Sequence, residues 1–88
     1  MNELIYQSSH LKLNYFEGPD NGAPILLLHG SSDRWQSFMP IIPEIINSLH
    51  IYALDFRGHG KSDRVTGAYR LQDYLQDVSL FLKNKICI

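Results

Sequence analysis

Cysteine is all but missing: Cys87 is the only one among 88 residues. One thiol cannot close an intrachain disulfide, and no Cys/His cluster has the spacing of a zinc site. The expected setting is therefore the cytoplasm rather than an oxidising compartment. Excess charge of either sign is missing too, with a formal net charge of −1 when histidines are neutral. That removes the electrostatic reason to expect nucleic acid or an anionic membrane as partner. Long apolar runs are absent, all falling far below the roughly 18 residues that span a bilayer. The start Met1-Asn2-Glu3-Leu4 carries an early acid and does not read as a signal peptide. There is no internal repeat and no low-complexity tract.

What is present is a hydrophobic fraction of 44%, which fits a globular chain and not a disordered one. The length suffices for one small domain and not for two. So short a chain buries a smaller share of its surface than a full-sized domain, so its stability margin is expected to be thin.

Leu4 to Gln7 and Leu11 to Phe16 read as strands. In the second, Leu11, Leu13 and Tyr15 alternate with Lys12 and Asn14, the period of a half-buried strand. Ser8-Ser9-His10 lies between them as a turn, which predicts an antiparallel hairpin. Gly18-Pro19-Asp20-Asn21-Gly22 marks a loop. Ile25-Leu26-Leu27-Leu28 does not alternate and predicts a strand buried on both faces, as central parallel strands are. Phe38, Ile42, Ile45, Ile46 and Leu49 line one face of a helix, but Pro40 and Pro43 interrupt it. The pattern predicts a helical turn near Arg34 to Met39, a break, and a second piece from about Ile42 to Ser48, with Asp33 as N-cap. Ile51-Tyr52-Ala53-Leu54 is a second buried-type strand, and Asp55 to Val65 is loop. Leu71, Leu75, Val78 and Leu82 recur at helical spacing, with Asp73 and Asp77 early and Lys83 and Lys85 late, as the helix dipole favours. Ile86-Cys87-Ile88 reads as the start of another strand. Strands alternating with helices predict an α/β fold, with a leading antiparallel hairpin followed by parallel strands joined by crossover helices.

Three features stand together: His29-Gly30-Ser31-Ser32 directly after one buried strand, Asp55-Phe56-Arg57-Gly58-His59-Gly60-Lys61-Ser62-Asp63 directly after the next, and the helix Tyr69 to Asn84 with Tyr74 and Asp77 inside it. In combination they resemble the α/β-hydrolase superfamily. Their order and spacing match over nearly the whole chain. A lone His-Gly is weak; the Asp-x-Arg-Gly-x-Gly-x-Ser-Asp stretch, one helix and one strand later, is fairly specific. The resemblance implies a hydrolase acting on ester, thioester, amide or related bonds of a small molecule, with no metal and no organic cofactor. It implies that the backbone amide of Ser31 is one donor to the oxyanion that grows in the transition state, the other following the nucleophile. Gly30 is then expected to allow a sharp turn, and His29 to brace the loop by hydrogen bonds. Ser32 and Trp35 are the expected substrate contacts, Trp35 having an equal alternative as the anchor of the first helix. Arg57, Gly58 and Gly60 are expected to build a tight structural turn, with Arg57 tying loops together. His59 is a weak catalytic candidate, because the family's catalytic histidine lies far downstream. His10 and His50 read as turn or surface residues.

The nucleophile motif Gly-x-Ser-x-Gly does not occur in the sequence. In the family the triad runs nucleophile, acid, histidine along the chain. The resemblance therefore implies that residues 1–88 are the N-terminal part of a single α/β-hydrolase domain, truncated before the nucleophile elbow and inactive alone. An unpaired apolar sheet edge is then expected to make the isolated chain self-associate. Two other readings stay open at this point. One makes the parent a non-catalytic binding protein of the same fold, or the chain a decayed remnant. Gly60-Lys61-Ser62 also resembles the end of a phosphate-binding loop. There, however, a glycine is required where Asp55 stands, and a helix must open at the lysine.

Overall fold

The computed structural model describes residues 2–8 and 11–86. Strands β1 (Asn2–Gln7) and β2 (Lys12–Glu17) form the expected antiparallel hairpin, in a register that pairs Asn2 with Glu17 and Gln7 with Lys12. The Ser8 amide donates to the Leu11 carbonyl at 3.0 Å, and the Leu11 amide donates back to Ser8 Oγ at 3.1 Å. Ser9 and His10, the rest of the expected turn, lie outside the described residues.

Strands β3 (Ala23–Leu28) and β4 (Leu49–Leu54) pair in parallel, Ala23 with Leu49 through Leu28 with Leu54. β2 pairs antiparallel with β4, so the sheet order is β1-β2-β4-β3. This mixed sheet is the expected α/β architecture. Its burial redistributes two expectations. β2 was predicted half-buried, yet Asn14 and Phe16 are buried as well as Leu13 and Tyr15, because β2 lies inside the sheet with side chains covering both faces. β3 reads as buried on both faces, yet it is only partly covered, with Leu28 41% exposed, because among the described residues it pairs on one side alone and leaves the unpaired edge expected above. Pro24, which donates no ladder hydrogen bond, is compatible with that outer position.

The connection from β3 to β4 breaks where the prolines predict. A 3-10 turn (Trp35–Phe38) precedes the single-turn helix α1 (Ile42–Ile45), with Pro43 in its first turn. Asp33 is not the cap. Arg34 holds the cap position in extended conformation, and its amide donates to Asp33 Oδ1. The Trp35 amide is instead taken by Asp55 Oδ1 at 2.7 Å, a residue from the far end of β4.

Helix α2 (Leu71–Phe81) continues into a π-helical turn over Leu82–Ile86, so Ile86 does not begin a strand. Cys87 and Ile88 lie outside the described residues. At the start of α2 the Arg70 amide donates to Asp73 Oδ2 at 2.9 Å and the Asp73 amide to the Arg70 carbonyl at 3.0 Å. The buried face is not the leucine stripe: Leu71 is 72% and Leu75 58% exposed, while Asp77 and Phe81 are buried. Phe81 packs edge-on against Tyr6 and Tyr15, at centroid distances of 5.5 and 5.0 Å. The other face of the sheet is covered by Trp35, stacked on Phe16 at 4.8 Å, together with Ile42. Among the described residues no helix is long and apolar enough to cross a membrane.

Candidate active site

β3 and β4 run in parallel, so the segments that follow them emerge side by side at their carboxyl ends, the edge where open α/β sheets build their sites. The first segment is His29 to Arg34 and the second Asp55 to Arg64. Asp55 organises the base of both. Fully buried, it accepts the Trp35 amide on Oδ1, and on Oδ2 the Asn14 side-chain amide at 3.0 Å and the Lys61 backbone amide at 3.1 Å. Ser62, also buried, donates its hydroxyl to the Asp55 carbonyl at 2.7 Å and accepts the Asn14 amide at 2.8 Å. The Asp63 amide donates to the Lys12 carbonyl, and the Lys12 amide donates to Asp63 Oδ2. The second segment thus extends the ladder along β2 where β4 has ended.

Two glycines in this segment answer to space. Gly60 has φ +51°, and a β-carbon there would lie 2.2 Å from Asp55 Oδ2. Gly58 has φ +75°, and its β-carbon would lie 2.5 Å from the Tyr69 ring. Arg57 reaches from this segment to α2. Its guanidinium makes a buried two-pronged pair with Asp77 of α2, both bonds 2.7 Å, and donates to the Ala68 carbonyl at 3.0 Å. These bonds from Asp77 hold the guanidinium above its usual pKa against the opposing effect of burial. Asp77, in the middle of α2, is therefore a loop-to-helix anchor. Removing one member of such a pair costs about 3–5 kcal/mol, since it strands the other charge.

A cavity of about 240 Å³ opens between the two segments and α2, lined by His29, Gly30, Ser31, Phe56, His59, Leu71 and Tyr74. Ser31 stands at its wall, and no hydrogen bond from the Ser31 amide is made among the described residues. Gly30 is not the residue with unusual backbone: the left-handed conformation falls on Ser32, at φ +62°. A β-carbon at Gly30 would meet nothing within 4 Å, so this glycine leaves room in the cavity instead of enabling a turn. His29 is 6% exposed and braces the loops, its Nε2 accepting the Phe56 amide at 3.0 Å. Ser32 is exposed, and its amide donates to His59 Nε2 at 3.2 Å. Trp35 does not line this cavity. It is buried on the other face of the sheet, with Nε1 donating to Glu3 Oε2 at 2.8 Å, so its packing matches the anchoring alternative. His50 is half-buried: it lies in β4, stacked on Tyr52 and bonded to Glu17 at 2.7 Å.

The phosphate-loop reading meets three obstacles. Lys61 Nζ is paired with Glu3 at 2.7 Å, the Ser62 hydroxyl is buried on Asp55, and the next helix opens only at Leu71. Among the described residues, no group of three or more His, Cys, Asp or Glu side chains is placed to hold a metal ion.

The α/β order, the mixed sheet and the paired segments at its carboxyl edge define an α/β-hydrolase fold. Comparison with known proteins agrees. The chain is 40% identical over 63 residues to a serine hydrolase-like protein of Danio rerio, covering 69% of this chain and 19% of that one. It is 33% identical over 75 residues to epoxide hydrolase 3 of Xenopus tropicalis, covering 84% of this chain and 20% of that protein. A solved structure of a hypothetical protein from Pseudomonas aeruginosa superposes with a TM-score of 0.84 at 38% identity, over 94% of this chain and 30% of that one. No family model matches. The chain belongs to the α/β-hydrolase superfamily, and it spans about a fifth of the length of these two curated relatives.

Proposed function

We propose that this chain is the N-terminal, oxyanion-binding part of a cytoplasmic α/β-hydrolase domain that cleaves ester or related bonds of small molecules. The observation that carries this reading is the position of Ser31. It follows a parallel strand, lines an apolar cavity and has an amide with no partner among the described residues. In acyl hydrolysis, negative charge grows on the former carbonyl oxygen. A preorganised amide in a site that excludes water is worth far more there than in bulk solvent. Ser32, next along the loop, is the neighbouring substrate contact. Phe56, Leu71 and Tyr74 give the cavity the apolar character that suits an acyl or alkyl group. The attacking group, its acid and its histidine come from polypeptide other than these 88 residues. Because a triad works as a unit, a single oxyanion donor gives no appreciable turnover.

Two measurements test this. With a chromogenic short-chain ester, the 88-residue chain is expected to show no rate above background; turnover that survives purification would refute the assignment of inactivity. Titration with butyrate, whose carboxylate imitates the charged oxygen, is expected to shift the Ser31 amide resonance. Gly30→Leu, which fills the cavity, is expected to abolish that shift. An unmoved Ser31 amide, or an equal response in the variant, overturns the oxyanion assignment.

A further inference from the structure

We infer that His29 and His59 form a reciprocal imidazole clasp that sets the direction of the Ser31 amide, which makes both of them positioning residues of the site; this rests on the reading of Ser31 given above. Each histidine reaches from its own loop into the other. His29 Nε2 accepts the Phe56 amide at 3.0 Å, and His59 Nε2 accepts the Ser32 amide at 3.2 Å. Each Nδ1 faces a carbonyl: that of Gly30 at 2.6 Å for His29, and that of Arg57 at 2.9 Å for His59. A ring nitrogen facing an N–H must offer a lone pair, and one facing a carbonyl must carry the proton. Both rings are therefore assigned as neutral Nδ1–H tautomers. Their centroids are 5.1 Å apart.

The geometry reaches Ser31 through the peptide plane. The Gly30 carbonyl and the Ser31 N–H are two ends of one planar trans peptide and point in opposite directions. Holding the carbonyl on His29 Nδ1 turns the Ser31 N–H away from that ring. His59 holds the following peptide by its N–H and so retains Ser32 at its left-handed φ of +62°, uncommon for a residue with a side chain. Two successive peptide planes are thus fixed on either side of Ser31.

A proton on Nε2 would set one N–H against another and remove the bond, so the clasp needs both rings in this tautomer. Tyr74 of α2 lines the same cavity, its ring 6.4 Å from that of His59, and Asp33, Arg34 and Arg64 surround a polar depression beside His59.

The test is nitrogen-15 NMR with amide hydrogen exchange of the 88-residue chain at pH 8. Both histidines are expected as Nδ1–H tautomers. In His59→Phe, hydrogen-exchange protection of the Ser32 amide, corrected for intrinsic rates, is expected to fall at least tenfold. The Trp35 and Asn14 amides, held by Asp55 and Ser62, are expected to keep theirs. His59→Gln supplies an oxygen near the Nε2 position and should retain Ser32 protection. An Nε2–H tautomer in either ring overturns the clasp. So does loss shared with Trp35 and Asn14, which signals global unfolding, or a His59→Phe variant whose Ser32 amide stays protected. If the clasp is verified but butyrate leaves Ser31 unmoved, the oxyanion reading fails and the positioning role falls with it, whereas the reverse pattern overturns the clasp alone.

Discussion

Glu3 joins three distant parts of the chain through one carboxylate. It accepts from Lys61 Nζ at 2.7 Å, Trp35 Nε1 at 2.8 Å and Asn14 Nδ2 at 3.1 Å. The bonds from Lys61 and then Trp35 lower its pKa from 4.5 to about 2, against an opposing effect of burial. The sign follows from the direction: a depressed carboxylate stabilises the folded state fully above its unfolded value and loses that contribution as pH falls toward the folded one. Glu3→Gln is therefore expected to lower the urea midpoint at pH 7, with the gap to wild type closing between pH 4.5 and about 2. A gap that stays constant across that range would show that the charge is not responsible. From the sequence, Glu3 was legible only as an acid that speaks against a leader peptide. Its partners stand 11, 32 and 58 residues away, and no local pattern encodes such distances. Asp55 was legible as part of a motif and not as the cap of a distant turn. The one local hint lies in Gly60, whose missing β-carbon makes room for that carboxylate.

At the scale of elements, α2 separates periodicity from packing. Its leucines recur at helical spacing and predicted the helix correctly, but the sheet meets Phe81 and Val78, while Asp77 meets Arg57 of the loop. Phe81→Ala is expected to destabilise by about 3–5 kcal/mol, the usual cost of emptying a buried aromatic site. Leu75→Gln is expected to stay within about 0.5 kcal/mol, as exposed substitutions do. Chemical denaturation of both variants checks this, and equal losses would mean that the leucine face is buried after all. Strands β2 and β3 teach the same point. Alternation and apolar runs report the chemistry of each face, whereas burial depends on which strands lie alongside. The broken connection between β3 and β4 was fully legible, because proline's missing amide acts locally.

For the whole molecule, strand order decides what is left open. Among the described residues β3 pairs only with β4, and Leu28 at its end is 41% exposed. Such an edge offers unpaired backbone groups to other chains. We propose that the isolated 88-residue chain self-associates through it. Sedimentation is expected to show an average mass that rises with concentration, and Leu28→Lys to reduce that rise by setting a charge on the edge. A monodisperse wild-type monomer with a sharp, reversible thermal transition would count against the proposal.

The sequence by itself determined the α/β class, the hairpin, the break at the prolines and the two segments that meet at the site. Each of these is written in short-range periodicity, turn chemistry or motif spacing. Only the tertiary structure decided that β2 is interior, that Trp35 packs on Phe16, that Asp55 caps a distant turn, and that two histidines exchange backbone partners across the loops. These properties arise from contacts between residues tens of positions apart, and a linear pattern carries no term for which distant neighbour arrives.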